Sequence, residues 1–171
     1  MSKRDLKKYL SELNKVQLQE QIMELYEKFI PVKTYYDFVF NPKEEKLLEE
    51  CKLKISNEYF PTRSKKPKLR RSVAQKYIKH FISLGVDPYV VADVMLYNIE
   101  IAQTYSSEKA VKQELFYKSM FNSFEQAISF LIQNGILYDF KGRVEVINNK
   151  TLAQKWVNSY EFNAVMERLE Y

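Results

Sequence analysis

One cysteine, one histidine and three glycines stand in a chain of 171 residues, and each scarcity closes a class of function. Cys51 alone makes no internal disulfide and no cysteine cluster, which fits a reducing compartment. With one thiol and one imidazole, zinc sites of familiar ligand spacing are excluded. The Glu-x-x-His pairs of helical di-iron proteins are also absent, because Tyr77 stands three residues before His80. Gly85, Gly135 and Gly142 lie too far apart for a phosphate loop or a dinucleotide fingerprint, and no Gly-x-Ser-x-Gly elbow occurs. No uncharged apolar run of about 18 residues exists for a membrane span. The start MSKRDLKKYL is charged where a secretion signal needs apolar residues. The expectation is a cytoplasmic protein with no cofactor, no metal and no membrane partner, in which catalysis by a familiar mechanism is disfavoured.

Abundance points to helices. Hydrophobic residues make up 46% and charged residues 29% of the chain, both globular values, while thirteen Tyr and eleven Phe raise the aromatic share to 15%. With so few Gly and Pro to punctuate it, the sequence predicts an all-α fold: a compact bundle of about seven or eight helices in one domain spanning residues 1–171.

Hydrophobic spacing orders the chain. Ser2 with Asp5 forms a capping box before Leu6, Tyr9, Leu10 and Leu13, and Asn14 with Gln17 opens a second helix that stops before Pro31. The aromatic piece 32–40 is left mostly irregular. Asn41-Pro42 places a cap and then a first helical residue, and Leu47, Leu48, Cys51, Ile55 and Tyr59 form a core face. Ser72 caps a helix over 73–84, ended by Gly85. Asp87-Pro88 opens another over 89–105, apolar on nearly every side and therefore central. A long helix follows over 108–134, with Leu115, Phe121 and Phe124 among its inward residues. In ILYDFKGRVEVI, residues 136–147, Val144 and Val146 alternate with Arg143 and Glu145 around Lys141-Gly142, which predicts a small β-hairpin. Thr151 then caps a short helix to Trp156, and 162–169 closes the chain helically.

Charge is unevenly placed. Residues 1–60 hold eleven basic and eleven acidic side chains, and residues 87–171 hold eight and eleven. Residues 61–86 hold eight basic ones (Arg63, Lys65, Lys66, Lys68, Arg70, Arg71, Lys76, Lys79) and no acid, so they carry the entire cationic excess of +5 and more. The loop 61–71 runs into a helix N-terminus, where free backbone N–H groups already favour an anion. On that helix Lys76 and Lys79 project opposite the apolar arc of Val73, Ala74, Tyr77, Ile78, Phe81 and Ile82. Together with Ser72, the eight basic residues are the candidate nucleic-acid or anion-binding set, acting through phosphate contacts without base preference. The plainer reading is a solvated charged loop, or one neutralised by acids elsewhere in the protein.

Three further groups carry weaker signals. His80 lies at the edge of the apolar arc, where a packed or boundary histidine is the ordinary case. Asp93 and Glu100 share a stripe with Thr104 on the central helix and need a basic partner, for which the basic segment just upstream is the obvious source. The hairpin after Gly135 also resembles the wing of a winged helix, although Phe121, Phe124, Phe130 and Ile132 leave the preceding helix little polar surface for a groove.

SKRDLKKYLSELNKVQLQEQIMELYEKF, YYDFVFNPKEEKLLEE and RRSVAQKYIKHFISLGVDPYVVADVMLYNIEIAQ resemble an uncharacterised family of small bacterial cytosolic proteins, known only as a domain of unknown function. That resemblance covers most of the chain and implies a compact helical protein with no assigned activity. The leading expectation is a non-catalytic module whose basic surface binds nucleic acid or another polyanion. The alternatives are a protein-interaction or scaffold module using Tyr35, Tyr36 and Phe38, with self-association into a homodimer, and an enzyme in which Asp93, Glu100 and His80 converge.

Overall fold

The computed structural model describes residues 2–62 and 66–169. Among them every regular element is an α-helix: α1 (Lys3–Ser11), α2 (Lys15–Lys28), α3 (Ile30–Phe40), α4 (Glu44–Tyr59), α5 (Arg71–Leu84), α6 (Pro88–Glu108), α7 (Glu114–Gln133), α8 (Leu137–Ala153) and α9 (Ser159–Leu169). Contacts divide the chain into two compact units, residues 1–43 and 44–171.

The first unit is built by local signals. Ser2 with Asp5 and Asn14 with Gln17 both form complete capping boxes, each side chain accepting from the other residue's backbone N–H. The aromatic piece expected to be irregular is α3, because Pro31 both stops α2 and sits in the first turn of the next helix, where its missing N–H costs nothing. α2 and α3 pack as a pair, and Tyr26 donates to Asp37 Oδ1 at 2.7 Å. Asn41, expected to cap α4, ends α3 instead, its N–H returning to the carbonyls of Asp37 and Phe38.

The second unit closes around α6, which packs on α4, α5, α7 and α8. Val91, Ala92, Val94, Met95, Leu96, Asn98, Ile99, Ala102 and Gln103 are all buried along it, as the apolar circumference of this stretch predicts. Asp87 caps it by accepting from the Tyr89 N–H at 2.7 Å. Burial of side chains such as Leu96 and Ile99 contributes about 1.5–3 kcal/mol each. Gly85 ends α5 with φ +72°, and the Val86 N–H reaches back to the Phe81 carbonyl at 3.1 Å, a closure that favours glycine.

The β-hairpin expected over 136–147 is not present; those residues belong to α8. Phe140, Val144, Ile147 and Thr151 recur at helical spacing, and the last three are buried, whereas Val146 is half exposed. The side that packs on α6 and α7 decides the conformation, overriding the local valine alternation. Loss of the hairpin also removes the wing of the winged-helix reading. Thr151 is not a cap but a buried residue of α8 that donates to the Asn148 carbonyl at 2.7 Å. The long helix expected over 108–134 is α7 alone, and Leu115 at its start is 79% exposed rather than inward.

Candidate functional site

Basic residues of the 61–86 segment fall into five groups. Arg63 and Lys65 lie outside the described residues. Lys66 and Lys68 are exposed, and no described ion pair involves them. Arg70 is spent on Glu58, with Nε donating to Oε2 and Nη2 to Oε1, both at 2.8 Å. The Arg70 hydrogen bonds hold the Glu58 carboxyl below its ordinary value. Arg71 turns inward instead, its Nε donating to Ser123 Oγ at 2.7 Å and its Nη2 to Gln126 Oε1 at 2.6 Å.

Glu58 organises the entry to α5. Its carbonyl also accepts from the N–H groups of Lys68 at 2.9 Å and Leu69 at 3.2 Å. This triple grip holds Leu69 at φ 54°, a left-handed conformation that costs a residue with a Cβ about 1–2 kcal/mol. The helix starts at Arg71, one residue before the expected cap, and its N-cap Arg70 makes no side-chain cap bond. Ser72 is therefore an exposed first-turn residue rather than a cap.

Lys76 and Lys79 stand on the exposed face of α5, as the helical projection predicts, and they border different grooves. A groove of about 820 Å³ between α4 and α5 is lined by Lys54, Asn57, Glu58, Ser72, Lys76 and His80. A second, of about 610 Å³ between α5 and α7, takes in Arg71 and Lys79. The ridge carrying Ser72, Lys76 and Lys79 thus presents positive charge into both.

Asp93 and Glu100 converge, as their shared stripe predicts, but among the described residues not on the basic segment. Arg143 from α8 donates Nη1 to Asp93 Oδ1 at 2.6 Å, Nε to Glu100 Oε1 at 2.6 Å and Nη2 to Glu100 Oε2 at 2.8 Å. Lys52 from α4 completes the cluster, 2.5 Å from Asp93 Oδ2. Burial alone raises the Asp93 carboxyl, yet hydrogen bonds from Lys52 and Arg143 outweigh it and hold the group below its ordinary value. The same balance raises Arg143, where bonds to Glu100 and Asp93 exceed the cost of burial. Neither Lys52 nor Arg143 stands out in the sequence; a hairpin places Arg143 at a turn tip, and only α8 in helical form aims it at α6.

His80 does not join these acids. It is exposed in the α4–α5 groove, and among the described residues no hydrogen bond or ion pair links it to Asp93 or Glu100. The described residues contain no group of three or more His, Cys, Asp or Glu side chains placed to hold a metal ion, and no helix long and apolar enough to cross a membrane.

No curated protein and no solved structure matches the chain. A family model matches residues 1–170, nearly the whole length. The chain belongs to DUF6155, a family of unknown function.

Proposed function

We propose that this protein is a non-catalytic binding module that holds a polyanion, with nucleic acid as the principal class, on the cationic surface around the N-terminal half of α5. The observation that carries this reading is where the acids of α6 are spent. Asp93 and Glu100 are occupied by Arg143 and Lys52, so they do not cancel Lys66, Lys68 or Lys76. Lys54 extends that surface across the α4–α5 groove. Phosphate oxygens gain from such a surface through counterion release, which needs charge density and no base contacts. Each carboxylate oxygen of Asp93 and Glu100 is engaged by Arg143 or Lys52, an arrangement that suits a structural cluster better than proton transfer.

Fluorescence anisotropy of a labelled oligonucleotide at low and rising salt tests the reading. Binding should weaken with salt, and replacing Lys66, Lys68 and Lys76 together by Glu should abolish it while circular dichroism stays unchanged. Absence of binding at low salt, or binding indifferent to the triple change, sinks the proposal.

A second reading is favoured by one observation. No residue of α1–α3 is buried, and Ile22, Met23, Tyr26, Tyr36 and Phe40 line an apolar cleft of about 610 Å³ between α2 and α3. Phe40 is 82% exposed. Such a surface suits a protein partner. Light scattering that finds a strict monomer at high concentration removes the self-associating form of this reading.

A further inference from the structure

We infer that the groove between α5 and α7 is a phosphate-binding site in which Arg71 is the fixed donor and Lys79 the second positive charge. The inference rests on the polyanion reading for the sign of the ligand and adds to it the group that is gripped and the residue that grips it.

Arg71 differs from the other interhelical arginines of the second unit. Arg70 faces the Glu58 carboxylate and Arg143 faces two carboxylates, whereas Arg71 is half-buried against neutral acceptors alone, Ser123 Oγ and Gln126 Oε1. Burial lowers its affinity for its proton, with no carboxylate opposing that effect. A guanidinium partly withdrawn from water without an anion carries a cost that a bound anion relieves. Of its five N–H donors two are engaged, leaving both on Nη1 and one on Nη2 without a partner among the described residues.

The orientation of this guanidinium is set from the core. Ser123 donates to the Ser119 carbonyl at 3.1 Å and accepts from Asn98 Nδ2 at 3.3 Å, and Asn98 is a buried residue of the central helix. One edge of Arg71 is thereby fixed before any ligand arrives, which reduces the entropy lost on binding. Around the open edge, the groove of about 610 Å³ presents Gln75, Lys79, Asn122, Gln126 and Ser129. Several neutral donors beside two cations suit an anion with several acceptor oxygens, as phosphate has, better than a two-oxygen carboxylate. Glu125 lies along the same groove and opposes the ligand, which supplies an internal control. The phosphate belongs either to a nucleic-acid backbone or to a small free phosphate, since both offer the same oxygens.

The Nε–H resonance of Arg71 in the 15N-labelled full chain reports the site directly. Inorganic phosphate and a single-stranded oligonucleotide are titrated separately, with acetate at matched ionic strength as the control. A saturable shift with either phosphate source and not with acetate supports the inference; phosphate alone identifies a small-molecule source and the oligonucleotide alone a backbone source. Lys79→Ala should weaken the effective ligand about fivefold and Glu125→Gln should tighten it by about the same factor, each altering one charge along the groove that Arg71 lines. Both positions are exposed, so folding is preserved. An Arg71 signal indifferent to both sources, an equal response to acetate, or unchanged affinity in Lys79→Ala overturns it. Oligonucleotide binding with an unmoved Arg71 signal refutes this site and leaves the polyanion reading standing; a phosphate response without oligonucleotide binding does the reverse.

Discussion

Arg70 clasps Glu58 through two parallel hydrogen bonds of 2.8 Å, so the arginine that leads into α5 belongs to the architecture of the connection rather than to its free charge. Because Arg70 lowers the Glu58 carboxyl from its ordinary 4.5, the clasp contributes stability that is present above that value and is lost as pH falls through the lower folded value. Glu58→Gln should therefore melt below the parent at neutral pH, and the gap should close under acid. Thermal melts of both proteins across that range check the sign; a gap that widens on acidification contradicts the clasp.

The charge cluster on α6 should be the more costly to break. Arg143 is largely enclosed and serves both Asp93 and Glu100, so Arg143→Ala leaves two carboxylates with Lys52 alone. The expected loss is about 2–3 kcal/mol, below the value for a fully buried pair because water still reaches the acids. Urea unfolding measures it, and Arg143→Lys should restore only part, since an ammonium cannot span two carboxylates as a planar fork does. The Asp93 share is present above its ordinary 3.8 and disappears as pH drops through its depressed folded value.

Cys51 is fully buried on α4, and burial pushes its thiol up to about 12. Thiolate is the reactive form, so alkylating reagents should leave the native protein untouched. Labelling followed by mass spectrometry should show modification only when denaturant opens the second unit, at a rate set by unfolding. Rapid labelling without denaturant contradicts the placement of Cys51 in the core.

Legibility in the sequence followed how local each cause was. Ser2 with Asp5, Asn14 with Gln17, Asp87 and Gly85 act within a few residues, and all four signals end or begin helices as they predict. The central place of α6 was readable because its apolar circumference is interrupted mainly by the narrow stripe of Asp93, Glu100 and Thr104. Pro31 was ambiguous, since the residue that stops one helix can start another. The partners of Asp93 and Glu100 were not readable: Arg143 lies 50 residues from Asp93, and its role exists only once α8 packs on α6. The same holds for the division between Arg70 and Arg71. Adjacent in sequence and identical in chemistry, they face a carboxylate on α4 and neutral groups on α7, which only helix packing distinguishes.

Gly142 tests the largest departure from the sequence reading. In a tight hairpin turn a glycine at this position supplies a positive φ, and alanine there is destabilising. In α8 it sits inside a helix, its backbone outside the positive-φ region, and a Cβ built on it meets nothing within 4 Å. Alanine in a helix interior forfeits less backbone entropy than glycine and adds no clash, so Gly142→Ala should stabilise the protein by about 0.5–1 kcal/mol. Gly85→Ala provides the opposite case, because φ +72° strains any residue with a Cβ even where space is open. Chemical denaturation of the two variants should move the midpoint in opposite directions. If Gly142→Ala instead lowers stability as Gly85→Ala does, the segment turns at Lys141-Gly142 and α8 does not run through it.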